Sequence, residues 1–128
     1  MARTRRRRNR LKKTAMAVAD GLQQRLGPCL SIERMEAGFV DELTRRHVRI
    51  TRRSDTLLTF GGRPVEKVLA DVLLEDRFMV EFKRLPSVTD ADLYRFAQFL
   101  KVSEIPEGLI INLSPAGHEC CYLSVEDN

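Results

Sequence analysis

Residues 71–83, DVLLEDRFMVEFK, constrain the fold more than any other part of the chain, because two apolar stretches flank a charged turn at Glu75, Asp76 and Arg77. The pattern reads as a β-hairpin. Side chains alternate between faces along a strand, so Glu81 and Lys83 share one face while Val80 and Phe82 share the other. With Asp71 on the preceding strand, the tight turn brings Glu81 back beside it. Two carboxylates and an ammonium in one small volume suit phosphodiester hydrolysis, which needs a hard cation to neutralise charge and to lower the pKa of a bound water. Mg²⁺ accepts one or two carboxylates and keeps several waters, so Asp71 and Glu81 are candidate metal ligands. Lys83 would hold or deprotonate the attacking water, a role to which desolvation and neighbouring charge tune a lysine. The same alternation also describes the solvent face of a hairpin, with Glu81 and Lys83 in cross-strand ion pairs. Spacing alone leaves both readings open.

The rest of the chain supplies the partners such a hairpin needs. Met16, Val18, Ala19, Leu22 and Leu26 fall at helical spacing and predict a helix over 14–25, stopped by Gly27 and Pro28. Ser31 is placed to cap a second helix running to about residue 46, with Ile32, Met35, Phe39, Val40 and Leu43 as its buried stripe. Strands are expected over 47–53, 56–60, 65–75 and 78–83, with Gly61 and Gly62 turning the chain before the third. A helix from Thr89 or Asp90 to about residue 102 turns Leu93, Phe96, Ala97 and Leu100 toward the sheet. Acids in its first turn, Asp90 and Asp92, suit capping and the helix dipole better than metal binding. Residues 108–113 form an uninterrupted apolar strand of the kind buried in a mixed sheet, and 119–125 a final edge strand. Asn112, within that apolar strand, is expected to satisfy local backbone or to position a loop.

At 128 residues and 43% hydrophobic content the chain can bury one core of ordinary size. No apolar run reaches the roughly 18 residues of a membrane span, and the N-terminal arginines lead into an amphipathic helix, unlike a secretory signal. Three cysteines, Cys29, Cys120 and Cys121, make no disulfide framework, and a reducing cytoplasm is the expected location. His47 and His118 show no zinc-ligand spacing with them.

The hairpin, the helix containing Phe99, Leu100 and Lys101, and the strand from Gly108 through Asn112 follow one another in an order that resembles the small bacterial GxxExxY proteins of the PD-(D/E)xK nuclease superfamily. Upstream, Leu26, Gly27 and Pro28 with Glu36 fall where that family has its Leu-Gly-Pro-Gly turn and following helix. The resemblance spans residues 15–123. It implies an α/β fold, a restriction-endonuclease-like mixed β-sheet flanked by helices, with Mg²⁺ or Mn²⁺ held by Asp71 and Glu81 and with Lys83 as the catalytic lysine. The chain also departs from the pattern. Cys29, Ile32 and Met35 stand where the family's name motif has Gly, Glu and Tyr, and Arg95 stands where a later Gln is usual. Ile32 cannot bind metal. Glu36 lies one turn further along the same helical face and is an accessory candidate, as are Arg95 and Gln98 on the later helix.

Charge is unevenly spread. Residues 1–13 hold eight basic side chains and no acid, against a chain total of +4, which leaves a net charge of −4 on residues 14–128. A block of like charge is expected to be a disordered tail, and Arg5, Arg6, Arg7, Arg8, Arg10, Lys12 and Lys13 are candidate nucleic-acid contacts that raise affinity without reading sequence. The domain proper is then 14–128. The leading expectation is a metal-dependent nuclease acting on nucleic acid, DNA first. The alternative is a catalytically impaired protein of the same fold that binds nucleic acid or serves as a protein-interaction subunit, as a homo-oligomer or with another protein.

Overall fold

The computed structural model describes residues 2–27, 31–52, 57–60, 63–67, 71–114 and 117–126, with side chains described for these except at 2–9, 57–60, 63–67 and 71. The elements run α1 (Ala2–Leu26), α2 (Ile32–Arg45), β1 (Ile50–Arg52), β2 (Leu57–Phe60), β3 (Arg63–Lys67), β4 (Asp71–Leu74), β5 (Phe78–Lys83), α3 (Asp90–Val102), β6 (Glu107–Ser114) and β7 (Gly117–Ser124). Five strands form one sheet in the order β1-β4-β5-β6-β7, and β2 and β3 pair as a separate two-stranded sheet. All pairings in the larger sheet are antiparallel except β5 with β6, which are parallel and joined through α3. A parallel pair requires such a crossover. The expected α/β, mixed-sheet architecture is therefore the one observed.

Alternation along the strands sorts the core into two layers. Val72, Leu74, Phe78, Val80, Phe82, Leu109, Ile111 and Leu113 pack with Leu11, Ala15, Val18, Ala19 and Leu22 of α1 and Met35, Phe39 and Leu43 of α2. Leu73, Met79 and Ile110 pack on the opposite face with Phe96, Leu100 and Ile105. The ring of Phe39 meets Phe82 edge-on at 5.5 Å between centroids, which fixes α2 over β5. On the other face Phe96 sets the height of α3. A Cβ added to Gly108 would come within 2.5 Å of Phe96 Cζ and 2.8 Å of the Met79 carbonyl oxygen, so no side chain fits there. Gly108→Ala is expected to destabilise the protein by about 2 kcal/mol, the usual scale for overpacking, seen as a lower urea midpoint; an unchanged midpoint would contradict this packing.

Helix ends follow local chemistry. Ser31 Oγ accepts the Arg34 amide at the start of α2, as expected. Thr89 and Asp92 close α3 with a reciprocal capping box, which confirms capping as the role of Asp92. Its pKa is lowered by hydrogen bonds from the Thr89 amide and hydroxyl and from Arg95. His47, at φ 63, ends α2 with its own amide bonded to Thr44 O and the Val48 amide bonded to Leu43 O. The first strand accordingly starts at Ile50, later than residue 47.

Two expectations are corrected. The basic segment, expected as a disordered tail, is the first part of α1, which begins at Ala2; Leu11 is already buried and Lys12 Nζ sits 4.1 Å above the Tyr122 ring. A helix propagates readily once its later turns are anchored by packing. The single strand expected over 65–75 is two strands, β3 and β4, which belong to different sheets. The turn placed at Gly61 and Gly62 lies outside the described residues, as do Pro28, Cys29 and Arg53.

Candidate active site

The hairpin assembles the candidate site. Between β4 and β5 the register sets Asp71 directly opposite Glu81, Val72 opposite Val80 and Leu74 opposite Phe78. The turn itself has Glu75 at φ 52 and Asp76 at φ 56, with the Arg77 amide bonded to Leu74 O at 3.0 Å, the geometry of a type I′ turn. Neither residue is a glycine, and Arg49 explains how they are held. Its amide donates to Glu75 Oε1 at 3.0 Å and its guanidinium to Asp76 Oδ2 at 2.7 Å. The Glu75 amide returns a bond to Arg49 O at 2.8 Å.

Glu81 and Lys83 occupy the sheet face that carries Met79 and Ile110, under α3. Lys83 Nζ lies 3.1 Å from Glu81 Oε1, with the carboxylate side chain 15% exposed and the lysine 40%. Glu81 is thus a largely sheltered carboxylate with an ammonium at contact distance. For Asp71 the backbone position is described and its side chain is not.

Asn112, the register partner of Lys83, is fully buried. Its Oδ1 accepts the Leu85 amide at 2.7 Å and its Nδ2 donates to Leu85 O at 3.0 Å and to Glu119 Oε1 at 3.1 Å. Glu119 Oε1 also accepts the Val88 amide at 2.8 Å. One amide side chain therefore does what a further pair of strand residues would do, and ties down the segment that leaves β5. The loop-positioning role expected of Asn112 is observed.

The accessory candidates are not gathered at the hairpin. Glu36 projects from α2 toward Arg52, with Oε1 3.9 Å from Arg52 Nε. Arg52 pairs with Val72, whose side chain belongs to the α1/α2 layer, so Glu36 lies across the sheet from Glu81. Arg95 is exposed and bound to Asp92 at 2.5 Å, one helical turn away, and Gln98 is exposed. A helix must spend its inward stripe on apolar residues, and in α3 Phe96 and Leu100 hold it. Among the basic candidates Arg10 and Lys13 are exposed and Lys12 is half-buried, whereas the side chains of Arg5, Arg6, Arg7 and Arg8 lie outside the described set.

Burial raises the Glu36 carboxyl above the ordinary 4.5, with Arg52 opposing that shift and Glu33 adding to it. A carboxyl that holds its proton more tightly when folded costs stability once the pH climbs past its unfolded value. Glu36→Gln is therefore expected to raise the urea midpoint at pH 7 and to leave it unchanged below about pH 4, where both states are protonated. Equal midpoints at both pH values would show that Arg52 fully offsets the burial.

Sequence reasoning missed one grouping, in which Asp20, His118 and Cys120 come together from α1 and β7. His118 and Cys120 alternate correctly for one strand face, but the third member is 98 residues away from His118 and has no motif to announce it.

The family model described as the PD-(D/E)XK nuclease superfamily matches residues 9–120. No curated protein and no solved structure gave a significant match. Among the described residues no helix is long and apolar enough to cross a membrane.

Proposed function

This chain belongs to the PD-(D/E)XK nuclease superfamily, and from that premise we propose that it is a metal-dependent nuclease hydrolysing phosphodiester bonds of nucleic acid, with DNA as the substrate. The observation that carries this reading is the register of Asp71 against Glu81, with Lys83 two residues on and its Nζ 3.1 Å from the Glu81 carboxylate. The donors at this position are carboxylate oxygens, which fit Mg²⁺ or Mn²⁺. When bound by Asp71 and Glu81, such a cation would neutralise phosphate charge and acidify a water. Lys83 would hold the attacking water by donating from its ammonium, or take the water's proton from the neutral amine form. The Glu81 side chain is 15% exposed, so its charge beside the ammonium is screened less than in bulk water. Glu36, held at Arg52 on the other face, has no part in the step. We place the protein with the GxxExxY group and in the cytoplasm, where free thiols such as Cys120 and Cys121 persist.

The test combines calorimetric titration of Mg²⁺ or Mn²⁺ with plasmid and oligonucleotide cleavage, on the wild type and on the Asp71→Ala/Glu81→Ala protein. Metal binding and cleavage in the wild type, both lost in the double variant, is the expected result. Absence of metal binding at millimolar concentration with DNA present would overturn it.

A second reading is favoured by the basic first part of α1, which fits a phosphate backbone with or without catalysis. Its signature is affinity that falls steeply with salt and with deletion of residues 1–13. Binding unaffected by both would exclude it.

A further inference from the structure

We propose that Asp20, His118 and Cys120 form a second metal site, selective for a thiophilic divalent cation of the Zn²⁺ class and lying on the sheet face opposite Glu81 and Lys83. The three ligating atoms lie within 4.8 Å of one another, and His118 Nε2 is already 2.6 Å from Asp20 Oδ1. His118 and Cys120 stand two apart on β7, opposite Leu113 and Ile111, whose side chains belong to the α1/α2 layer. Asp20 meets them from α1. One carboxylate oxygen, one imidazole nitrogen and one sulfur form the mixed donor set that zinc accepts. Around a tetrahedral zinc, with bonds of about 2.0 to 2.3 Å, neighbouring donors sit roughly 3.3 to 3.8 Å apart. Spacings from 2.6 Å up to 4.8 Å bracket that geometry, and a water would complete the four-coordinate shell. Asp20, whose side chain is 58% exposed, gives an entry path, whereas that of His118 is 16% exposed and holds the site's inner wall.

The chemistry distinguishes this site from the hairpin. Binding replaces the thiol proton by the metal and releases it to solvent, with no change of oxidation state. Soft metals make that exchange and Mg²⁺ does not. The bound ion would join α1 to the edge strand β7, clamping the helix that begins with the basic segment onto the sheet.

The experiment is a Co²⁺ titration of the full-length, metal-stripped protein, read by absorption, followed by displacement with Zn²⁺ and by thermal unfolding with and without Zn²⁺. The wild type is expected to develop a thiolate-to-cobalt charge-transfer band, which carboxylate-bound Co²⁺ at the hairpin does not give, that Zn²⁺ abolishes, and to melt higher with Zn²⁺. Cys120→Ser and, separately, His118→Gln are expected to lose the band and the thermal shift; Cys121→Ser and Glu81→Ala keep both. No thiolate band in the wild type, or a band that survives Cys120→Ser in a folded protein, would overturn the proposal. Mg²⁺ in excess is expected to leave the band unaltered, and its displacement by Mg²⁺ would count against the site.

Discussion

Glu81→Ala is expected to reduce cleavage by roughly 10²- to 10³-fold, the scale on which electrostatic stabilisation of a transition state acts, while its circular dichroism and urea midpoint stay close to wild type. Glu81 is partly exposed and its partner is Lys83 on the same strand, so removing it leaves no group buried without a partner. Lys83→Met is expected to lose as much turnover and to keep divalent-metal binding, because in the proposed mechanism the lysine acts on the water and the carboxylates hold the ion. The two variants therefore separate in calorimetry and coincide in the cleavage assay. Full cleavage by both purified, folded variants would remove the hairpin from the chemistry.

The largest stability effect is expected at the opposite end of the sheet. Glu107 is 1% exposed and accepts Arg77 Nε at 3.1 Å and Tyr122 Oη at 2.7 Å. Arg77 also lies 3.6 Å from Glu126 through Nη2. A buried carboxylate is tolerable only with its partner, and breaking such a pair from one side commonly costs 3–5 kcal/mol. Arg77→Ala should thus lower the unfolding free energy by about 3 kcal/mol, and Arg77→Ala/Glu107→Leu should recover part of that loss. Chemical denaturation of the single and double variants measures both. A double variant no more stable than Arg77→Ala would mean that the cost arises from lost arginine packing.

How far the sequence reveals this molecule differs by region. The hairpin is legible because a charged turn parts two apolar stretches whose side chains alternate between the two core layers at Val72, Leu73, Leu74, Phe78, Met79 and Val80, and so are the α2 and α3 stripes, where Met35, Phe39, Leu43, Phe96 and Leu100 stay at helical spacing. The split between β3 and β4 is not legible. Apolar character continues across the junction, and which sheet a strand joins is decided by partners elsewhere in the chain. The extension of α1 through its arginines is obscured for another reason, since charge density reads as disorder until Leu11 is seen to pack. Within the site, Asp71, Glu81 and Lys83 come from one local motif and could be read together. The Asp20, His118 and Cys120 grouping depends on how α1 crosses β7, and no local pattern carries that information.

The two hydrogen bonds between the Asn112 side chain and the Leu85 backbone also have a thermodynamic meaning for the strand end beside them. Lys83 belongs to a strand paired on one side with β6 and is followed within two residues by a backbone amide and carbonyl held by a buried side chain. Its main chain has no freedom left to lose when substrate arrives. If Lys83 acts as proposed, mainly its side-chain torsions remain to be fixed, on the order of 2 kcal/mol of rotamer entropy for a lysine, and a single core asparagine would lower the ordering cost of that reaction without touching the reacting atoms.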